Sequence, residues 1–174
     1  MKALIVVESM FGNTRKVAEA VAEGLRGHAE VEVVAAAEAH APLLELVDLL
    51  VVGGPTHAFS MTRGSTREDA VRQGASPEAA VTGIREWIGR LHAGPHSEMV
   101  ATFDTRVGKV RHLPGSAAKS AVKALRKLGY TPVVPAESFW VADVSGPLLE
   151  GELDRARAWG EALATAAART SPTK

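Results

Sequence analysis

The first 27 residues of this chain combine an apolar run, a short polar turn and a helical pattern in immediate succession. The apolar run covers residues 3–7, and the turn that follows reads Ser-Met-Phe-Gly-Asn-Thr over residues 9–14. Helical periodicity begins at once, with apolar side chains at spacings of three and four at Val17, Ala18, Val21, Ala22 and Leu25. A buried strand entering a helix through such a turn leaves N–H groups unpaired at the positive end of the helix dipole. These groups make an anion site, and phosphate is its usual occupant.

The residues of the turn exclude two common nucleotide-binding motifs. A P-loop needs Gly-x-x-x-x-Gly-Lys-Ser/Thr, and the turn has neither that spacing nor the lysine. A dinucleotide fingerprint needs three glycines, and the turn holds only Gly12. What remains is Ser-x-x-Gly-Asn-Thr, with hydroxyls at both ends and no cation inside. The alternative is that Ser9 and Thr14 merely cap the helix.

Strand and helix patterns alternate along the rest of the chain. Further strands are predicted at residues 31–35, 48–52, 99–103 and 131–141, and helices at 77–92, 116–128 and 152–167. Short apolar strands that alternate with helices indicate a parallel sheet with helices on both faces. We predict an α/β fold with a doubly wound, five-stranded parallel sheet in the flavodoxin-like order 2-1-3-4-5. Residues 1–168 are predicted to form one domain, and residues 169–174 a flexible C-terminal tail.

The composition excludes several classes of function. The chain of 174 residues has no cysteine, which rules out disulfides, cysteine nucleophiles and thiolate metal sites. Lys and Arg together number 20, as do Asp and Glu, so no global field attracts nucleic acid. No apolar stretch approaches membrane-spanning length, and no cleavable signal pattern precedes the first strand. We expect a cytoplasmic protein with no metal site and no nucleic-acid or membrane partner.

Two long loops are predicted beside the polar turn. In an open sheet of this kind, ligands bind beyond the carboxyl ends of the strands, where the first and third strands adjoin. The loop after the third strand covers residues 54–64 and reads GPTHAFSMTRG. The loop after the fourth strand begins Asp-Thr-Arg at residue 104 and continues to Gly115. Long loops at this edge are more often functional than idle.

These three loops, taken in order, resemble the FMN-binding loops of the flavodoxin family over about residues 1–160. The turn at residues 9–14 is similar to that family's phosphate loop, Ser/Thr-x-Thr-Gly-x-Thr. Phe11 stands where a second hydroxyl is expected, a form closer to the flavodoxin-like NAD(P)H:quinone reductases. Gly-x-Pro-Thr at residues 53–56 and Phe-Asp-Thr at residues 103–105 resemble the starts of the other two loops. The resemblance implies non-covalently bound FMN.

The resemblance also implies which residues contact the FMN. Around the phosphate it places Ser9, Met10, Phe11, Gly12, Asn13 and Thr14, and Thr14 would also start the helix. Beside the isoalloxazine ring it places Pro55, Thr56, His57, Ala58 and Phe59. Along the other side it places Thr102, Phe103 and Asp104, with Arg106 next to them. No catalytic residue and no metal ligand is implied.

Two departures from the family pattern bear on function. Flavodoxin electron carriers commonly hold the flavin between a tryptophan and a tyrosine from the second and third of these loops, which here offer only Phe59. A flavin with weaker stacking would bind with modest affinity and leave one face open to a substrate. The carriers are also typically acidic, whereas the loops here carry five cations against one acid: Arg63, Arg67, Arg106, Lys109 and Arg111. A basic rim suits an acidic redox partner or an anionic substrate such as a pyridine nucleotide.

Three functions therefore stay open. The single-domain length favours, by a small margin, an FMN-binding electron-transfer protein that works between partner proteins. Phe11, the missing stacking pair and the basic rim favour an FMN-dependent NAD(P)H:quinone-type oxidoreductase that reduces a small-molecule acceptor. The third is a degenerate flavodoxin-fold module without flavin. The sequence does not distinguish a monomer from a homodimer.

Overall fold

The computed structural model describes residues 1–170, apart from the side chains of residues 41 and 42. This part of the chain contains seven strands and six α-helices. In chain order these elements are β1 (Lys2–Val7), α1 (Asn13–Arg26), β2 (Glu30–Ala35), α2 (Ala41–Leu44), β3 (Leu49–His57), β4 (Ser60–Met61), α3 (Gly64–Arg72), α4 (Ile84–Ile88), β5 (Met99–Val107), α5 (Ala117–Lys127), β6 (Thr131–Pro132), β7 (Glu137–Val141) and α6 (Glu152–Thr170). Two short 3₁₀ helices lie at Pro77–Ala80 and Gly108–Val110.

The parallel sheet has the predicted order. β2, β1, β3 and β5 are neighbours in that sequence, and β6 and β7 both pair in parallel with β5. β6 and β7 are the two halves of the predicted fifth strand, which is interrupted between them. The predicted doubly wound fold is therefore confirmed. β4 adds a short antiparallel pair to the end of β3, which the sequence pattern did not indicate.

Each face of the sheet is covered by its own helices and has its own core. Successive side chains of a strand point to opposite faces. Ile5 and Val51 accordingly pack with α1 and α6, whereas Leu4 and Val52 pack with α4 and α5. Burial on both faces explains why the central strands read as continuous apolar runs.

The helix predicted at residues 77–92 is wrong in extent. A 3₁₀ turn at Pro77–Ala80 is separated from α4, which has five residues. An uninterrupted helix would pair the Ile84 N–H with the Ala80 carbonyl. Instead Ile84 donates to the buried Glu8 carboxylate at 2.9 Å, and the Ala80 carbonyl accepts from Arg67 Nε at 3.2 Å. Two buried charged side chains from elsewhere in the chain thus replace both partners of one helical hydrogen bond.

Several element ends also differ from the sequence prediction. β3 and β5 run on to His57 and Val107, so the starts of two predicted loops belong to strands. Residues 64–72, where no helix was predicted, form α3. α6 continues to Thr170, and the rest of the predicted tail lies outside the described residues. Among residues 1–170, no helix has both the length and the apolar character needed to cross a bilayer.

Candidate functional site

A cavity of about 160 Å³ lies at the carboxyl edge of β1, β3 and β5, where the topology predicted a ligand site. The helix start after β1 forms one wall, the end of β3 a second, and β5 with the loop after β7 a third. The lining residues are Met10, Phe11, Asn13, Thr14, Pro55, Thr56, His57, Ala58, Thr105, Val107, Val141 and Val144. Eight of these twelve are residues that the sequence singled out.

The polar turn presents unpaired backbone donors to this cavity. Gly12 has φ +88°, a left-handed conformation that favours glycine, and its carbonyl accepts the Lys16 N–H at 3.1 Å. The Arg15 N–H is capped by Ser9 Oγ at 3.2 Å. Within residues 1–170, the N–H groups of residues 10–14 donate to no acceptor. Ser9 thus caps one donor, and five remain for an anion.

Thr14 contributes a hydroxyl that is shared with a residue not predicted from the sequence. Its Oγ1 lies 2.7 Å from Thr105 Oγ1, in a buried contact between α1 and β5. Two hydroxyls that bond to each other use only one of their two hydrogens. The pair therefore still has one O–H to donate toward the cavity. Thr14 follows the first residue of the helix, Asn13, rather than starting it.

The loop after β7 closes the cavity on a side for which the sequence gave no expectation. Asn13 Nδ2 donates to the Ser145 carbonyl at 3.0 Å. Gly146, with φ +102°, lies so close that a Cβ there would be 2.6 Å from Asn13 Nδ2. Val144 is 46% exposed and borders the opening. Its position could be inferred only from knowing that β7 ends beside β5.

The ring side of the predicted site is a strained hairpin. His57 pairs with Ser60, and the two residues between them have positive φ, 44° at Ala58 and 65° at Phe59. A type I′ turn requires this conformation, which Asn and Gly adopt most readily. Phe59 is 54% exposed and does not line the cavity, while burial lowers the pKa of His57. The tip packs on Gly115, where a Cβ would be 2.4 Å from the Phe59 carbonyl oxygen.

Four predicted contact residues on β5 have other partners and do not line the cavity. Thr102 donates to the Ala118 carbonyl at 3.0 Å, and Phe103 packs edge-on against Phe139 and Trp159. Asp104 is fully buried against the start of α5. Arg106 donates to the Leu113 carbonyl at 3.0 Å and lies over Trp140. Because β5 extends to Val107, its alternation brings Thr105 and Val107 to the cavity instead.

A buried charge cluster lies directly behind the polar turn. Glu8, 4% exposed, accepts hydrogen bonds from the Thr62 hydroxyl and the Ile84 N–H. Arg67 donates to Thr62 Oγ1 at 2.9 Å and pairs with Glu86 at 3.1 Å. Burial raises the pKa of Glu8, an effect that its hydrogen bonds and Arg67 oppose. Sequence patterns did not indicate this cluster, because Glu8 reads as a lone acid at a strand end.

The rim keeps fewer free cations than the sequence predicts. Arg67 and Arg106 are both buried and committed to the contacts just described. Arg63, Lys109 and Arg111 are exposed, and in the described part of the chain none of them forms an ion pair. Lys109 and Arg111 line a groove that shares Val141 with the cavity and also includes Asp143.

The donor set of the cavity fits FMN. Five N–H groups and one hydroxyl hydrogen suit a phosphate monoester, and no acidic side chain is among the lining residues. Pro55, Ala58, Val107 and Val144 offer apolar contacts to a planar ring. Phe11 is the one aromatic carbocycle among the lining residues, so the stacking pair of flavodoxin carriers has no counterpart in the described cavity.

Comparison with known proteins supports the predicted family. The flavodoxin family model matches residues 5–73, which include the end of β1, the polar turn and β3. Similar solved structures include a flavodoxin from the domain Archaea (19% identity, TM-score 0.65, covering 97% of this chain and 99% of that one). Flavodoxin 1 from Bacillus cereus is 14% identical, with a TM-score of 0.64 and coverage of 98% and 99%.

A further structural neighbour is the flavodoxin, WrbA-like protein from Agrobacterium tumefaciens. It is 17% identical, with a TM-score of 0.61 and coverage of 98% of this chain and 99% of that one. At these identities the likeness concerns the fold. No curated protein sequence matches the chain significantly.

Proposed function

We propose that this chain, a protein of the flavodoxin family, binds FMN non-covalently and transfers electrons. The observation that carries the proposal is the set of unpaired N–H groups at residues 10–14, four of which belong to residues that line a cavity at the switch point of the sheet. Unpaired donors at a helix start favour an anion, and the apolar wall beyond them favours a planar ring.

The roles of the chain's own residues follow from this placement. Residues 10–14 and the Thr14–Thr105 hydroxyl pair would hold the phosphate. Pro55, Thr56 and Ala58 would border the ring on one side, and Val107 and Val144 on the other. FMN supplies reversible electron transfer when bound. A carrier needs no acid or base beside the ring, so the absence of any assigned proton donor is compatible with this function.

An electron carrier is the first of two candidate activities. The chain spans nearly the whole length of the flavodoxins to which it is similar, and covers 99% of two of them. The second candidate is an NAD(P)H:quinone-type oxidoreductase. The observation that favours it is a cavity without tryptophan or tyrosine among its described lining residues, which leaves room over a ring for a substrate.

The proposed redox partner is an acidic protein or a small anionic acceptor. Lys109 and Arg111 are exposed in the groove beside the cavity and free of ion pairs among residues 1–170. Unpaired cations around a reactive edge raise the rate of encounter with an anionic partner.

Titration of the apoprotein with FMN and with riboflavin tests the phosphate site. We expect FMN to bind about 100-fold more tightly, because several charge-assisted hydrogen bonds to phosphate are absent for riboflavin. Quenching of flavin fluorescence measures both affinities. Equal affinities would show that residues 9–14 do not bind phosphate, and no binding of either flavin would favour the degenerate module.

A matched pair of variants on β5 locates the phosphate contact. Thr105→Val removes the hydroxyl that pairs with Thr14, and Thr102→Val removes one that faces α5. We expect Thr105→Val to weaken FMN by about tenfold, or roughly 1–2 kcal/mol, and to leave riboflavin unchanged. Thr102→Val should change neither affinity. Equal losses for both variants would indicate a general effect on folding.

Oxidation of NADH and NADPH by the FMN-loaded protein separates the two activities. A carrier should show turnover with quinones close to that of free FMN, whereas an oxidoreductase should show saturation in both substrates. Saturation kinetics would favour the NAD(P)H:quinone-type oxidoreductase over the electron carrier.

A further inference from the structure

Asp104 is a buried carboxylate whose two oxygens have very different surroundings. It has no solvent exposure, and Oδ2 accepts three hydrogen bonds. The donors are the Thr56 hydroxyl at 2.9 Å, the Ser116 hydroxyl, and the Ala118 N–H at 3.0 Å. Oδ1 is the one buried side-chain oxygen or nitrogen without a partner in residues 1–170. Such an orphaned group calls for a functional explanation.

The hydrogen bonds to Asp104 all come from neutral donors, which stabilise a carboxylate charge without neutralising it. The start of α5 adds its positive dipole end, because Ser116 and Ala118 belong to the first turn. No lysine, arginine or histidine of the described chain pairs with Asp104. A net negative charge is therefore held in a region of low dielectric.

This charge lies one side chain away from the cavity. Thr105, the next residue along β5, lines the cavity, and so does Thr56, whose hydroxyl donates to Asp104. Asp104 is paired in register with Gly54, which precedes the cavity residue Pro55. A buried charge at such a separation acts on a neighbouring site much more strongly than an exposed one.

We propose that Asp104 sets the reduction potential of the flavin bound in this cavity, by holding an uncompensated negative charge behind the Thr56 side of the site. The proposal rests on the proposed binding of FMN. The buried charge disfavours the addition of electrons to the ring, so oxidised FMN binds more tightly relative to reduced FMN than it would without Asp104. Asp104 acts through the field and does not touch the cofactor.

Asp104→Asn removes this charge and can keep all three hydrogen bonds, although its NH₂ group is then buried without an acceptor. Because all three donors bond to one oxygen, the amide oxygen can take the Oδ2 position and the NH₂ group the position of the orphaned Oδ1. We expect the affinity for reduced flavin relative to oxidised flavin to rise about tenfold, which is about 59 mV for a one-electron couple. Potentiometric titration of the FMN-loaded protein measures this shift. The protein loaded with riboflavin should show the same shift in reduction potential, because the charge acts on the isoalloxazine ring that both flavins share.

Asp143→Asn is the matched control, since Asp143 is exposed and adjoins Val144 at the rim. We expect the reduction potential of Asp143→Asn to change little. The shift should correspond to less than a twofold change in the affinity for reduced flavin relative to oxidised flavin. Equal shifts for the two variants would overturn the role of burial, and no shift in Asp104→Asn would overturn the proposal itself. If Asp104→Asn does not fold, Asp104→Ser also removes the charge and must give a rise in potential for the proposal to stand. Wild-type protein that binds no flavin would instead contradict the proposed function.

Discussion

Two buried carboxylates flank the cavity, and they differ in how their oxygens are used. Glu8 has a donor on each oxygen, the Thr62 hydroxyl on Oε1 and the Ile84 N–H on Oε2, with Arg67 close by. Asp104 has all its donors on one oxygen and no cation. An amide can therefore replace Asp104 without loss of a hydrogen bond, whereas in place of Glu8 it would set an NH₂ group against a donor.

We expect the stability of the protein to depend on the protonation of Glu8. Burial raises the pKa of Glu8 in the folded state above the ordinary value of 4.5, so its contribution to stability is complete below pH 4.5. That contribution declines as the pH rises through the raised pKa, because the unfolded chain ionises more readily. Urea unfolding of wild type and Glu8→Gln from pH 4 to pH 8 measures the difference.

At low pH, Glu8→Gln should lie within about 1 kcal/mol of wild type, because a protonated carboxyl and an amide each present one acceptor and one donor group to the Thr62 hydroxyl and the Ile84 N–H. The variant should become the more stable of the two as the pH rises, since only the wild type then has to ionise a buried carboxyl. Glu38→Gln, at an exposed position, is the control and should follow the wild-type curve. Parallel curves for wild type and Glu8→Gln would show that Glu8 titrates as it does in the unfolded chain.

Which residues line the cavity was predictable from the sequence where the chain forms a turn, and less so where it forms a strand. The segment 55–58 and four of the six residues of the turn were identified, because loops after the first and third strands must meet at one edge. The other two, Ser9 and Gly12, do not line the cavity. On β5 the prediction named residues 102, 103, 104 and 106. The strand continues four residues further than the apolar run, and only its true length reveals that Thr105 and Val107 face the cavity.

At the scale of elements, the helix predicted at residues 77–92 shows what periodicity alone cannot detect. The apolar spacing there is real, and Ile84, Trp87 and Ile88 are buried as expected. The interruption before Ile84 arises from Glu8 and Arg67, which are distant in sequence. Gly83 leaves the necessary space, because a Cβ there would be 2.5 Å from Arg67 Nη1. Tertiary hydrogen bonds of this kind have no local signal.

The β3–β4 hairpin provides a prediction about strain. Ala58 and Phe59 both have positive φ, which is unfavourable for residues with a Cβ. Ala58→Gly should raise the free energy of unfolding by about 0.5–1 kcal/mol and weaken FMN only slightly, since it removes one methyl group from the cavity lining. Phe59→Gly should raise the free energy of unfolding by less, because this variant also loses the partial burial of the Phe59 ring. It should weaken FMN binding if Phe59 covers the flavin. Thermal unfolding and flavin titration of the two variants make the comparison; unchanged affinity in Phe59→Gly would show that its ring does not contact the flavin.

At the scale of the whole molecule, the balance of 20 basic and 20 acidic residues conceals a local asymmetry. Lys109 and Arg111 beside the cavity are exposed and form no ion pair among the described residues, and the same holds for Arg63 at the start of α3. The buried Arg67 and Arg106 are held by structural contacts. The fold class and sheet order were predictable because short apolar strands alternating with helices permit few topologies. The charge of the rim was only partly predictable, since a sequence does not show which cations are buried.

The rate of electron transfer across this rim should depend on the charge of the electron acceptor. Reduced, FMN-loaded protein should be oxidised faster by the anion ferricyanide than by the cation hexaammineruthenium(III), after allowance for their different driving forces. Raising the ionic strength from 0.01 M to 1 M shortens the screening length from about 30 Å to about 3 Å. The rate with ferricyanide should therefore fall with salt, and the rate with hexaammineruthenium(III) should rise or stay constant. Stopped-flow absorbance of the flavin measures both.

Charge reversal at the rim should abolish the difference. In Lys109→Glu with Arg111→Glu, we expect the ferricyanide rate at low salt to fall about tenfold and its salt dependence to flatten or change sign. Lys123→Glu with Lys127→Glu makes the same change in net charge on α5, which begins beside Thr56 and runs away from the cavity. Because α5 carries these positions away from the rim, this control should slow ferricyanide less than the rim variant does. If both double variants slow equally, the whole-molecule charge governs the encounter, and the rim cations have no special role in choosing an anionic partner.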